Sequence, residues 1–158
     1  MGGAPFWRNA VVAFVVTAAW DVVLRWISTG RLPVPWVEDW KWVRVLRGYF
    51  ELHTPLAAAL VAGACGAAAY ALISLSWPIV SKGVGRMHEL AYVAHATLVS
   101  ALVGIPMRYS GLFPHLVAHY YEPLGFWYSF CTDAFSGVVV LVSMYALEWL
   151  ALRFSLVR

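Results

Sequence analysis

The chain has 158 residues, of which 62% are hydrophobic and 12% are charged, and its formal net charge is +3. A soluble domain carries about 25% charged residues, and a small domain cannot bury so much apolar surface, so the composition excludes an ordinary soluble protein and predicts membrane lipid as the main partner. The basic residues are scattered along the chain, which argues against nucleic acid as a partner.

The first apolar segment, residues 9–27, predicts a transmembrane helix, because about 20 apolar residues are enough to cross a bilayer. Two charged residues lie inside it. Asp21 and Arg25 are one helical turn apart, so their side chains share a face and can pair.

Residues 36–51 differ in pattern from the transmembrane segments. Trp36, Trp40, Val43 and Phe50 recur at helical spacing, while charged residues lie on the other face. This predicts an amphipathic helix in the plane of the lipid headgroups. An ordinary connector helix outside the membrane is the alternative interpretation.

The second apolar segment, residues 55–77, is rich in small residues. Ala59, Gly63 and Ala67 recur at every fourth position, and Gly66 belongs to a second such row. Small residues at this spacing allow two helix backbones to approach closely. The contact predicted here is either within one chain or between the chains of a homo-oligomer.

The rest of the chain predicts two further transmembrane helices, residues 86–105 and 126–150. Between them, residues 112–121 are apolar but too short to cross, which favours a re-entrant or interfacial segment; a fifth transmembrane helix is the alternative. The predicted fold is therefore one all-α integral membrane domain over residues 1–158. It has about four transmembrane helices, an interfacial amphipathic helix and a short re-entrant or interfacial segment.

Asp133 lies in the middle of the last apolar segment. A carboxylate inside a transmembrane helix costs on the order of 2.5–3.5 kcal/mol, so it must face protein, water or a partner charge. We expect a buried polar site formed by Asp21, Arg25, Thr132, Asp133 and Ser136, and one economical arrangement puts Arg25 between the two acids. The site is either a proton or ion pathway or a structural ion pair. His53, before the second helix, is a candidate titratable gate.

Support for a metal site is weak. His115 and His119 are four residues apart and can share a helical face, but the chain has no His-Glu-x-x-His or Cys-x-x-Cys motif. We therefore predict no metal and no cofactor. No catalytic motif is present either, so no catalytic residue is proposed and an enzyme is the less favoured interpretation.

Several stretches occur in the same order in a known group of sequences: residues 20–25 (WDVVLR), 49–54 (YFELHT), 57–63 (AAALVAG), 110–114 (SGLFP), 120–121 (YY), 124–125 (LG) and 133–137 (DAFSG). In these stretches the chain resembles an uncharacterised family of small polytopic membrane proteins of large and giant DNA viruses of protists and algae. The resemblance implies no activity. The shared pattern it implies includes Asp21, Arg25, His53, Thr54, Ser110, Gly111, Asp133, Ser136 and Gly137.

One difference from the family bears on mechanism. Family members tend to have a histidine directly before the aspartate, where this chain has Thr132. A mechanism that needs an imidazole next to Asp133 is therefore doubtful here. The set Asp133, Asp21, Arg25, His53, Thr54 and Ser136 is kept as the candidate transport or binding site.

Three functions are compatible with these features. The favoured one is a small ion or proton channel or transporter-like protein with a buried polar site. The alternatives are a structural membrane protein of a virion or membrane assembly, and a membrane-embedded lipid-modifying enzyme. Each implies a multi-pass integral protein of a host or virion membrane, in contact with lipid and as a homo-oligomer or part of a larger assembly.

Overall fold

A computed structural model describes residues 6–34, 37, 39–83 and 88–155. Throughout these residues the regular structure is helical, without strands. Four helical stretches in this part are long and apolar enough to cross a membrane, which confirms the all-α fold: Phe6–Ser28, Pro55–Gly83, His88–Ser110 and Phe126–Phe154. The long helices are named α1 (Phe6–Ser28), α3 (Pro55–Val80), α4 (His88–Leu102) and α8 (Phe126–Ser155).

The second and third helical stretches extend beyond their predicted ends at residues 77 and 105. α3 continues through Pro78 to Val80, and after α4 the chain forms α5 (Gly104–Ser110), which contains Pro106. Pro106 is tolerated because it lies in the first turn of α5, where backbone N–H groups have no intrahelical partner. The predicted helix starts at residues 36 and 86 lie outside the described residues.

The four long helices are arranged in a ring. α1 packs against α3, α3 against α4, α4 against α8, and α8 against α1. Glycines allow two of these contacts to be close. A Cβ atom on Gly63 would lie 2.8 Å from the Phe14 ring, and one on Gly66 would lie 3.0 Å from the carbonyl oxygen of Ala13.

The small-residue row predicted in the second segment thus faces α1 of the same chain at Gly63 and Gly66. Ala59 and Ala67 are half-buried on the same helix. Between α8 and α4, a Cβ atom on Gly137 would collide with Ser100. Both contacts bring helix backbones close together within one bundle.

α2 (Lys41–Leu52) is amphipathic, but its apolar face packs on protein instead of facing lipid. Its buried residues are Trp42, Val43, Leu46, Tyr49 and Phe50. They form a cluster with Ala58, Tyr120, Tyr121 and Leu124. Other residues of the same chain therefore cover the apolar stripe of α2. Trp40, which the sequence pattern places on this stripe, is 54% exposed.

The short segment before the last transmembrane helix supplies the partner surface for α2. It is helical as α6 (Pro114–Leu116), a π-helical turn (Val117–Tyr121) and α7 (Glu122–Leu124). The Lys41 ammonium donates a hydrogen bond to the Leu124 carbonyl oxygen at 3.3 Å, which ties α2 to the end of this segment. Gly125 has φ +80°, a conformation that favours glycine and lets the chain turn into α8.

Candidate functional site: an acidic cavity inside the bundle

A cavity of about 200 Å³ lies among the four long helices. A single buried water needs only on the order of 10–15 Å³ by this kind of measure. Residues of α1, α3, α4 and α8 all line it, and α2 and the π-helical turn contribute the residues at one end. The cavity is thus large enough to hold a small molecule.

The described cavity wall contains two acidic side chains and no basic one. Asp21 on α1 and Asp133 on α8 both line it, while the described lining residues include no Lys, Arg or His. Most of the remaining wall consists of small aliphatic and aromatic side chains. A carboxylate in such surroundings is strongly destabilised unless a hydrogen-bond donor or a positive charge compensates it.

Asp133 is held by neutral hydroxyl groups. Tyr120 donates a hydrogen bond to its Oδ1 at 3.4 Å, and the Tyr121 hydroxyl is a second partner. Tyr120 in turn accepts a hydrogen bond from Trp42 Nε1 at 3.2 Å and lies 3.2 Å from Thr132 Oγ1. Burial raises the pKa of both tyrosines, so both stay protonated donors at neutral pH.

The predicted link between Arg25 and the two acids is found only in part: its positive charge acts on Asp21, but Arg25 does not line the cavity. Its guanidinium donates hydrogen bonds to the carbonyl oxygens of Phe50, at 3.0 Å, and His53, at 3.2 Å, and lies 5.5 Å from the centre of the Phe50 ring. The physical reason is that the last carbonyls of α2 lack helical partners and carry the negative end of the helix dipole, which attracts a cation.

His53 and Thr54 lie next to the cavity, but neither lines it. The Thr54 hydroxyl accepts a hydrogen bond from the Ala57 N–H at 3.3 Å and thereby caps the start of α3. The His53 ring packs on Tyr49 with 4.5 Å between ring centres. Thr54 is thus placed as a helix cap, whereas Ser136 does line the cavity with the two acids.

The two weak metal candidates lie beside His53. The rings of His115 and His119 are 5.8 Å and 5.7 Å from the His53 ring and 6.2 Å from each other. Burial first, then these two neighbours, lower the pKa of His53. Over the described ranges, no group of three or more His, Cys, Asp or Glu side chains is arranged to hold a metal ion.

Sequence reasoning missed most of the polar residues around the two acids. Tyr120 and Tyr121 belong to a segment too short to cross, so they resembled ordinary interfacial aromatics. Thr17, Cys65 and Ser100 also line the cavity, but single small polar residues in an apolar helix carry no pattern. The one available signal was Asp133 itself, which requires donors from some neighbouring segment.

Comparisons with known proteins do not extend this picture: no family model, no curated protein and no solved structure matches the chain.

Proposed function

We propose that this chain is a small multi-pass membrane transport protein, a channel or a carrier, that moves protons or other cations through the cavity. The observation that carries the proposal is that Asp21 and Asp133, from opposite ends of the chain, line one cavity without a basic residue among its described lining. Acids buried within the membrane-spanning part of a protein are typical of proton and cation pathways.

A purely structural role accounts less well for the same features. A structural ion pair would join Arg25 to an acid by hydrogen bonds, yet the hydrogen bonds of its guanidinium go to backbone carbonyls, while its charge acts on Asp21. An internal cavity also lowers stability, by roughly 24 cal/mol per Å³ in soluble proteins. A cavity of about 200 Å³ with two carboxylates in its wall is therefore better explained as a binding site.

The surface supports a position within lipid. Large apolar side chains are exposed along the long helices, among them Val11, Leu60, Leu75, Val142 and Phe154. Lipid would cover this surface in a membrane. A host or virion membrane, and assembly into a homo-oligomer, are part of the proposal; the resemblance to the viral family remains a prediction.

Proteoliposomes test the proposal. Purified protein is reconstituted, a pH gradient or a membrane potential is applied, and proton and cation flux are measured with dyes inside the vesicles. We expect flux with the wild type and loss of flux with Asp133→Asn, which removes the charge at constant size. The matched control is Asp39→Asn, because Asp39 is an exposed acid outside the long helices.

Two results would count against the proposal. One is the absence of flux under both gradients for wild-type protein that is folded and correctly reconstituted. The other is equal flux for wild type and a folded Asp133→Asn variant, which would remove Asp133 from the pathway. Loss of flux in Asp39→Asn as well would show that the effect is not specific to the cavity.

A further inference from the structure

We infer that the cavity binds a small amphiphilic organic monocation of the quaternary ammonium type. The inference rests on the proposed function, because it takes the cavity as the transport site and names the class of substrate. It draws on three properties of the cavity: the aromatic rings of its wall, its size and its two acids without a basic residue in the described lining.

Aromatic side chains from five elements surround the cavity. The lining includes Trp20, Trp42, Tyr49, Tyr70, Tyr92, Tyr120 and Tyr121. The face of an aromatic ring attracts a cation, and rings grouped around one site are the usual way to hold an alkylated ammonium group. A small metal cation would instead need several oxygen ligands, about six to eight for calcium, and this wall offers mostly carbon.

The size of the cavity limits the ligand. Sites for drug-sized molecules measure about 300–1,000 Å³, so a cavity of about 200 Å³ suits a smaller ligand, on the order of ten non-hydrogen atoms. Small side chains in the wall provide this space: Ala13, Ala62, Ala69 and Ala96. Tetraethylammonium and choline fall within this size, whereas a phospholipid does not.

The two acids of the wall serve a cation and a proton alike. Asp21 and Asp133 line the cavity with no basic lining residue described, and Arg25 acts on Asp21 from outside the lining. A bound cation needs an ionised carboxylate, which protonation removes. Cation and proton then compete for the same pair of acids. Binding should therefore weaken as the pH falls, which gives a simple basis for exchanging the two across a membrane.

The test is equilibrium binding of labelled tetraethylammonium to the purified full-length protein in lipid nanodiscs. The competitors are choline and its neutral isostere 3,3-dimethylbutanol, which share a shape and differ in charge. We expect saturable binding that choline displaces and that the neutral isostere displaces at least about tenfold less well. Asp133→Asn should weaken binding by about tenfold or more, and Asp39→Asn should leave it unchanged.

If Asp133→Asn does not fold, Asp21→Asn replaces it, since Asp21 lies on a different helix and lines the same cavity. The inference is overturned if folded wild-type protein shows no saturable binding, if choline and the neutral isostere compete equally, or if neutralising a cavity acid leaves binding unchanged. Asp133-dependent proton flux without binding would overturn the substrate class and leave the proposed function intact. Charge-dependent binding without any flux would support the site and contradict the transport function.

Discussion

The contact between α1 and α3 at Gly66 allows a prediction of stability with a clear magnitude. A Cβ atom on Gly66 would collide with the Thr17 side chain and lie 3.0 Å from the Ala13 carbonyl oxygen. Thr17 cannot move aside without a loss, because its hydroxyl donates a hydrogen bond to that same oxygen at 2.7 Å. Gly66→Ala therefore forces α1 and α3 apart.

Two opposing terms set the size of the effect. Overpacking in a close contact costs about 1–3 kcal/mol, while replacing a helical glycine with alanine gains about 0.5–1 kcal/mol. We expect Gly66→Ala to lower the free energy of unfolding by about 1–2 kcal/mol. Gly48→Ala is the matched control, because Gly48 is also helical and a Cβ atom there would meet nothing within 4 Å.

The assay is equilibrium unfolding of the purified protein in mixed micelles of a mild detergent and sodium dodecyl sulfate. Both variants gain the same helix stabilisation from alanine, so this gain cancels when their free energies of unfolding are subtracted. The remaining difference is the cost of overpacking at Gly66, expected to be about 1–3 kcal/mol. Equal stability of the two variants would refute the close α1–α3 contact. A Gly66→Ala variant more stable than Gly48→Ala would refute it as well.

Three further results are expected. Arg25→Gln should lower the free energy of unfolding by about 1.5–3 kcal/mol, because a charged donor to the Phe50 and His53 carbonyls is lost; an unchanged value in chemical unfolding would contradict this. Tyr120→Phe should cost about 1–3 kcal/mol by the same measurement, since Asp133 and its neighbours lose a buried partner, and an unchanged free energy of unfolding in this variant would argue against the hydrogen bond. The pKa of His53 is lower in the folded protein than in the unfolded chain, so the unfolded chain takes up the His53 proton at a higher pH. The free energy of unfolding should therefore fall as the pH drops below about 6.5. The melting temperature, measured at several pH values below about 6.5, should depend less on pH in His53→Gln than in the wild type. An equally steep fall of the melting temperature in the variant would contradict the assignment to His53.

The transmembrane helices could be predicted because their signal is local. Length and apolarity alone decide whether a segment can cross a bilayer, and each of the four apolar segments contains such a helix. The spacing of small residues at Gly63 and Gly66 also predicted a close helix contact, since that pattern depends only on one helix face.

Contacts between distant segments could not be predicted in the same way. Asp21 lies four residues from Arg25, so local spacing favoured an ion pair, but the unpaired carbonyls at the end of α2 compete for the guanidinium. The apolar stripe of α2 gave no information on whether lipid or protein would cover it. Tyr120 and Tyr121 partner Asp133 only because the chain folds back before α8.

The central claim is that protons or other cations cross the membrane through the cavity, and that Asp21 and Asp133 are needed for this movement. No basic residue is described in the lining beside these two acids. The most direct test compares proton and cation flux of the wild type with that of the Asp21→Asn, Asp133→Asn double variant in the same proteoliposomes, after a folding check on both. We predict flux in the wild type and none in the double variant. Equal flux in both would contradict the claim.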